Sequence, residues 1–173
     1  MLEKLKIPFK VFKPHVDETP LPKEQPESLV KRISLLKAEE AYKNYKKHLI
    51  IAADTILYSR KRFFHKTEDK KQAYNNLKLL SGKRHIIFTG LTIIDSNYKK
   101  YFYLSKTKIK FKVLNESDIN KYLILEEWKN KAGSYAIQGY GVIFINFLAG
   151  SFSGAVGLPL EKLHHVLREK KIL

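Results

Sequence analysis

Apolar residues run without interruption from Leu49 to Ala53, and Asp54 and Thr55 follow them directly. An apolar stretch without polar alternation is typical of a strand that is buried on both faces. In open α/β sheets, ligands collect at the carboxyl ends of such strands. We therefore predict that Asp54 lies at the rim of a sheet. There its carboxylate faces either a ligand or, in an Asx turn, only the neighbouring backbone amides.

Four stretches of the chain show the spacing of helices. The first begins at Pro26, a favoured first-turn residue, and the second follows Thr67, which we predict as its N-cap. The third spans residues 116–128, and the fourth closes the chain in residues 158–170. The residues predicted to face inward are Leu29, Val30, Ile33 and Leu36 in the first helix, Ala73, Leu77 and Leu80 in the second, and Leu160, Leu163 and Leu167 in the fourth.

Other segments of the chain have the pattern of strands. Phe9 and Val11 predict a short strand that ends before Pro14. Residues 85–95 and 101–113 predict a hairpin, and the glycine-punctuated residues 132–150 predict a strand pair. Helices and strands in this order predict a single α/β domain over residues 1–173, built on a mixed, twisted sheet flanked by helices, with some antiparallel pairing.

The amino-acid composition excludes several classes of protein for this chain. The chain has no cysteine, which excludes disulfides, thiolate zinc sites and cysteine nucleophiles and makes the cytoplasm the default location. Neither a membrane span nor a signal-peptide core is visible. The 33 Lys and Arg against 17 Asp and Glu give a charge of +16, which favours anionic partners. Most of the excess is scattered lysine, as a biased genome composition produces, so we do not expect a dedicated nucleic-acid surface.

Four charged residues suggest chemistry. Lys37 falls on or beside the apolar stripe of the first helix, where it is either a snorkelling stem, which we favour, or an ammonium aimed into a site. With Lys66 before the next helix and Glu18 in the first loop, Asp54 then belongs to a set of two carboxylates and two ammonium groups. Such a set suits metal-assisted attack on a phosphate chain.

The remaining candidates favour structural roles. His164 and His165 are adjacent on a helix, point about 100° apart and cannot share a metal. We expect His85 to be structural and the single tryptophan, Trp128, to pack in the core. The sequence contains no phosphate-binding G-x-x-x-x-G-K-[ST] loop, so neither a P-loop enzyme nor a kinase is supported.

Six short strings resemble the Maf family of nucleoside triphosphate pyrophosphatases, and their order and separation match over nearly the whole chain. The pair AGSYAIQG and GSFSGAVGLPL is the most specific part of the match. The strings are VDE (16–18), KAEE (37–40), AADT (52–55), LSGKRHIIFTG (80–90), KAGSYAIQGYG (131–141) and GSFSGAVGLPL (150–160).

This resemblance implies an α/β fold with a deep cleft, hydrolysis of a nucleoside triphosphate to the monophosphate and pyrophosphate, a divalent cation (Mg²⁺ or Mn²⁺), and a homodimer. The string AIQG leans toward the members that take pyrimidine triphosphates, such as dTTP and UTP. Carried onto this sequence, the resemblance makes Asp54 the catalytic acid, Glu18 a supporting carboxylate, and both of them metal ligands. Lys37 and Lys66 become phosphate-binding residues, and Thr55 and Gln138 match positions associated with substrate choice.

Two features depart from the family pattern. Family members begin with a strand and an S-x-S-P-R-R turn that cradles phosphate, and this sequence starts downstream of that turn, so we expect weaker substrate binding. The family's G-K-P before the long helix reads His65, Lys66 and Thr67 here. Two alternatives stay open: an impaired homologue that binds nucleotide or a protein partner, and a basic nucleic-acid-binding protein linked to cell division.

Overall fold

The computed structural model describes residues 1–173. Five strands form one sheet in the order β2-β1-β3-β4-β5, and five α-helices flank it. The strands are β1 (Ile50–Ser59), β2 (Arg62–Phe64), β3 (Arg84–Ile94), β4 (Lys100–Phe111) and β5 (Ile145–Ala149). The helices are α1 (Pro26–Asn44), α2 (Lys70–Leu80), α3 (Glu116–Ile124), α4 (Phe152–Val156) and α5 (Leu160–Glu169). The predicted α/β class is therefore confirmed.

The strands of this sheet all pair antiparallel, so the prediction of a mixed sheet was wrong in strand direction. The connections explain this: β1–β2 and β3–β4 are hairpins, and α2 carries the chain from β2 to β3, which pairs antiparallel with the other edge of β1. Strand β1 pairs with β3 over residues 50–58 but with β2 only over residues 57–59. Its first half therefore has a hydrogen-bonded partner on one edge only.

The two faces of the sheet carry different layers. Helix α1 covers one face, where Ala38 packs with Ile50 and Ile94. The opposite face carries the main core, in which Leu57, Ile87 and other strand residues pack against α2, α3 and the aromatic segment around residue 135. Helix α5 forms a separate cluster, in which Leu163, Val166 and Leu167 pack with Leu91 and Ile93 of β3. Strand residues at alternate positions therefore point into two separate layers.

Helix α1 lies very close to the sheet because Gly90 stands where it crosses β3. A Cβ atom on Gly90 would lie 2.5 Å from the carbonyl oxygen of Val30. Gly90 is also the pairing partner of Asp54 on β1. The absence of a side chain at residue 90 thus allows α1 to pack closely over β3 beside Asp54.

Most helix predictions are confirmed, with local corrections. The N-cap of α2 is Asp69, whose carboxylate accepts from the amide of Lys71, and Thr67 only accepts from the amide of Asp69. Leu36 was predicted to face inward but is exposed, because the buried stripe of α1 runs through Leu29, Val30, Ile33 and Ala38.

Two strand predictions were wrong. Residues 7–14 form no strand, because they find no partner in the sheet. Residues 132–150 hold one strand, β5, preceded by two short 3-10 helices at Ala132–Ser134 and Tyr140–Phe144. Gly133, with a φ of 73°, turns the chain where a continuous strand was expected. No helix in the structure has the length and apolar character needed to span a membrane.

Candidate active site

Asp54 lies inside strand β1, five residues before the strand ends at Ser59, so the prediction that it stands at a strand terminus was wrong. The apolar run stops at Asp54, but hydrogen bonding to β3 continues to Tyr58. The carboxylate points toward α1 and is 3% exposed. Its Oδ1 atom accepts a hydrogen bond from Nζ of Lys37 at 2.7 Å. Asp54 is therefore a nearly buried acid held by a lysine, rather than an Asx turn.

The ammonium of Lys37 joins two carboxylates. Besides Asp54, it lies 2.7 Å from Oε1 of Glu18. The favoured snorkelling interpretation of Lys37 was thus wrong, because the side chain is 13% exposed and its charge points into the site. Burial alone would lower the pKa of Lys37, but the charges and hydrogen bonds of Asp54 and Glu18 outweigh burial, and the net effect raises the pKa. The lysine is therefore charged at neutral pH.

Glu18 comes from the loop that precedes α1, and contacts to the helix hold this loop in place. Nη2 of Arg32 donates to the carbonyl oxygen of Thr19 at 2.9 Å and to Glu24 at 2.8 Å. The amide of Thr19 in turn donates to Asp17 at 2.8 Å. The Glu18 side chain remains 47% exposed and can reach a ligand from the solvent side.

Thr55 points to the opposite face of the sheet from Asp54, because adjacent strand residues alternate. It lines a pocket of about 270 Å³ whose walls include Ile87, Tyr135 and Ile137. Gln138 lines the same pocket. About half of the residues that line this pocket are apolar, and most of the others bring charged or hydrogen-bonding side chains.

A second pocket of about 220 Å³ lies on the α1 side and is lined by Glu18 and Asp54, among others. Asp54, Thr55 and Lys66 line both pockets, so the two adjoin at the open edge of β1. Lys66 is exposed, forms no ion pair and stands between them. The residues that the sequence predicted for the site, namely Glu18, Lys37, Asp54, Thr55, Lys66 and Gln138, thus surround two connected cavities.

A larger cavity of about 390 Å³ lies between residues 7–14 and the start of β1. Its walls are mostly apolar, and Lys37 is the only one of the six site residues that it shares. Glu18, Asp54 and Lys66 line only the two smaller pockets.

Comparison with known proteins identifies the family. A family model described as Maf-like protein matches residues 1–170. The chain belongs to the Maf family. A relative from Zymomonas mobilis is 41% identical over 160 residues, which cover 92% of this chain and 79% of the relative. A relative from a Chelativorans species is 37% identical, and the match covers 90% of this chain and 77% of the relative. A relative from Bacillus anthracis is 36% identical, and the match covers 99% of this chain and 90% of the relative. All three relatives are named dTTP/UTP pyrophosphatase.

The side chains of this Maf protein offer a divalent cation two carboxylates and no more. No group of three or more His, Cys, Asp or Glu residues in the structure is placed so that it could hold a metal ion. Asp54 uses Oδ1 and Glu18 uses Oε1 to bind Lys37, which leaves one oxygen on each carboxylate. Mg²⁺ is commonly bound by one or two carboxylates together with water and substrate phosphates. The donor set therefore fits a cation that arrives with a phosphate chain and does not fit a permanent all-protein metal site.

Two site residues of this Maf protein were not predicted from the sequence. Thr89 on β3 hydrogen-bonds Thr55 and the carbonyl oxygen of Gly154, and Tyr135 forms a wall of the pocket. Both lie inside strings that were used for the family resemblance. A polar threonine in the apolar run HIIFTGLTII was the available signal. Only the register of β1 against β3 places Thr89 beside Thr55.

The structural roles expected for the aromatic and histidine side chains are confirmed. Trp128 is buried, and its Nε1 atom donates to the carbonyl oxygen of Leu123 at 3.0 Å. His85 is buried against Phe111 and lies 2.8 Å from the hydroxyl of Tyr135, and burial lowers its pKa to about 4. Neither lines a pocket with the six site residues.

Proposed function

We propose that this chain hydrolyses a pyrimidine nucleoside triphosphate, dTTP or UTP, to the monophosphate and pyrophosphate. The observation that carries the proposal is the cluster of Lys37, Asp54 and Glu18 where the two pockets adjoin. The relatives named dTTP/UTP pyrophosphatase, 36–41% identical over most of the chain, support the same reaction.

In this proposal the base and the triphosphate of the substrate bind at different parts of the connected pockets. The apolar walls around Thr55 and Gln138 suit a base, whose ring faces are apolar and whose edge carries donors and acceptors. Gln138 brings one acceptor and two N–H donors to that edge. The triphosphate then extends toward Lys37 and Lys66, whose ammonium groups offset the charge on the phosphate oxygens.

Hydrolysis adds water across the α–β phosphoanhydride bond, and pyrophosphate leaves. In our proposal Asp54 accepts the proton of the attacking water, a role for which a nearly buried carboxylate with one free oxygen is suited. Lys37 stabilises the charge that builds on the phosphate oxygens and holds Asp54 in place. Glu18 and Asp54 would hold the Mg²⁺ or Mn²⁺ ion, which supplies charge neutralisation on the phosphates when bound.

We also propose that the reaction takes place in the cytoplasm. The cysteine-free sequence suits the reducing cytoplasm, where nucleoside triphosphates are made and used. The family resemblance supports a homodimer. Size-exclusion chromatography with light scattering tests that assembly, and a monomer at micromolar concentration would contradict it.

A coupled phosphate assay tests the reaction type. The protein is incubated with Mg²⁺ and UTP, dTTP, CTP, ATP or GTP, with and without added inorganic pyrophosphatase, and orthophosphate is measured. We expect orthophosphate from UTP and dTTP only when the coupling enzyme is present, because the direct product is pyrophosphate. Orthophosphate release without the coupling enzyme, or no turnover of any triphosphate, would contradict the proposal.

A further inference from the structure

Three groups from distant parts of the chain form a hydrogen-bonded line behind the base pocket. The Oγ1 atoms of Thr55 on β1 and Thr89 on β3 lie 2.8 Å apart. Oγ1 of Thr89 lies 2.7 Å from the carbonyl oxygen of Gly154 on α4. Thr89 is 1% exposed, so water does not compete for these contacts.

The direction of each hydrogen bond in this line follows from counting protons. A carbonyl oxygen can only accept a hydrogen bond, so the hydroxyl of Thr89 must donate its one proton to the carbonyl oxygen of Gly154. Thr89 then has only lone pairs to offer Thr55, and the proton between the two threonines must come from Thr55. The hydroxyl of Thr55 is thereby committed as a donor, and it presents only lone pairs to the pocket that it lines.

The surroundings of Thr55 leave this acceptor accessible. Gly157 lies alongside, and even a Cβ atom there would stay 3.6 Å from Oγ1 of Thr55. Gly154 is held in turn by its neighbours, because its carbonyl oxygen also accepts from the amide of Gly157 at 3.0 Å and its amide donates to the side-chain hydroxyl of Ser151 at 2.8 Å. The acceptor at Thr55 is therefore part of a fixed framework.

We propose that Thr89 is a specificity-determining positioning residue, which holds Thr55 as an acceptor-only group and so selects bases that present an N–H donor to it. This inference rests on the proposed function. Uracil and thymine carry a hydrogen on N3, whereas cytosine N3 is an acceptor with a lone pair. A uracil ring placed with N3 toward Thr55 gains a hydrogen bond, and a cytosine ring meets two opposed lone pairs. Buried polar groups left unpaired in this way discriminate strongly between otherwise similar substrates.

The experiment compares the ratio of kcat/KM for UTP to kcat/KM for CTP in four folded proteins. Thr89→Val removes the hydroxyl at nearly constant shape, and Thr89→Ser restores it. The matched control is Thr92→Val, because Thr92 is equally buried on the same strand and its Oγ1 bonds Ser34 at 2.8 Å on the other face of the sheet. Circular dichroism and thermal unfolding check the fold of each.

We expect Thr89→Val to lower the UTP-to-CTP ratio by about tenfold or more, chiefly through a gain with CTP, since the freed Thr55 hydroxyl can then donate to cytosine N3. Thr89→Ser and Thr92→Val should keep the wild-type ratio within about twofold. A wild-type ratio in folded Thr89→Val would overturn the inference. So would equal changes in Thr89→Val and Thr92→Val, since that result indicates only a loss of rigidity.

A second variant keeps the inference testable if Thr89→Val does not fold. Thr55→Val removes the acceptor itself, and we expect kcat/KM for UTP to fall much more than that for CTP. An unchanged ratio in Thr55→Val would overturn the inference. Failure of the proposed function is distinguishable, because wild-type protein would then release no pyrophosphate from UTP at all.

Discussion

The Nζ atom of Lys37 lies 2.7 Å from Oδ1 of Asp54, so a cation from α1 and an acid from β1 meet where the structure leaves each little contact with solvent. Two charges this close in a partly desolvated place depend on each other. Removing Lys37 leaves the carboxylate of Asp54 buried and uncompensated, whereas removing Asp54 leaves Lys37 paired with Glu18 alone. The pair therefore has a structural role as well as the catalytic role proposed for it.

This dependence predicts strong coupling in a double-mutant cycle. We expect Lys37→Gln alone to lower the free energy of unfolding by about 3 kcal/mol, because it leaves the charge of Asp54 unpaired. Adding Asp54→Asn should recover much of that loss. Urea unfolding of the four proteins measures the coupling. The exposed pair Lys106 and Glu27, 2.8 Å apart, is the control, and its coupling should stay below about 1 kcal/mol. Additive effects at Lys37 and Asp54 would contradict the burial argument.

Lys66 should affect substrate binding without affecting stability. It is exposed, lines both pockets and forms no ion pair that its loss would break. We expect Lys66→Gln to weaken binding of a non-hydrolysable UTP analogue by about 1 to 3 kcal/mol, the range for a lost charge-assisted contact, with unchanged thermal unfolding. Calorimetric titration measures the affinity. Lys70→Gln, an exposed lysine that lines neither pocket, should bind like wild type. Equal losses in the two variants would show only a general charge effect.

We expect Glu18 to affect the Mg²⁺ concentration that the reaction needs for half-maximal turnover. If Glu18 and Asp54 hold the cation with the substrate phosphates, Glu18→Gln removes one of the two protein ligands. We expect the Mg²⁺ concentration for half-maximal turnover to rise by about tenfold, or about 1.4 kcal/mol, and chelation with EDTA to abolish turnover. Steady-state rates across a Mg²⁺ series measure both. An unchanged half-maximal concentration would remove Glu18 from the metal site.

Buried His85 predicts a loss of stability in mild acid. Burial lowers the pKa of its ring from the ordinary 6.5 to about 4 in the folded protein. Between these pH values His85 is protonated in the unfolded chain but not in the folded protein. The free energy of unfolding therefore falls as the pH drops from about 6.5 toward about 4. The shift corresponds to about 3 kcal/mol across that window, and above pH 6.5 the ring contributes no pH dependence.

Urea unfolding between pH 4 and pH 7 checks this expectation. Carboxylates also titrate in this range, so the informative quantity is the difference between wild type and His85→Gln, which has no ring to protonate. The slope of unfolding free energy against pH should be smaller in His85→Gln by about 1 kcal/mol per pH unit. Parallel slopes in the two proteins would mean that the folded state accommodates the proton.

The sequence was informative where a pattern is local and repeats. The stripe through Leu29, Val30 and Ile33 predicted α1, and the alternation after Ser105 predicted β4, because burial follows the period of each element. Residues 7–14 had apolar alternation but no strand, because pairing is not a local property. The end of the apolar run at Asp54 was mistaken for the end of the strand, since hydrogen bonding to β3 does not require apolar side chains.

For the candidate site, the sequence predicted which residues take part better than it predicted where their side chains point. The positions of Asp54 and Thr55 followed from the family strings, but those strings did not show that the two point to opposite faces. Lys37 could not be resolved from a helical pattern, because a snorkelling stem and a directed ammonium fall on the same part of a helix. The hydrogen-bonded line through Thr89 joins segments 34 and 65 residues apart, and only the folded chain brings them together.

In the proposed reaction, Asp54 catalyses the cleavage of a nucleoside triphosphate to the monophosphate and pyrophosphate. Phosphorus NMR of UTP with Mg²⁺ follows every product at once, for wild type, Asp54→Asn and Asp95→Asn, the last of which removes a carboxylate paired with Lys170 at 2.8 Å outside the pockets. We predict equal amounts of UMP and pyrophosphate from wild type and Asp95→Asn, and turnover at least about 100-fold slower in folded Asp54→Asn. Formation of UDP with orthophosphate, or wild-type turnover in Asp54→Asn, would contradict the account.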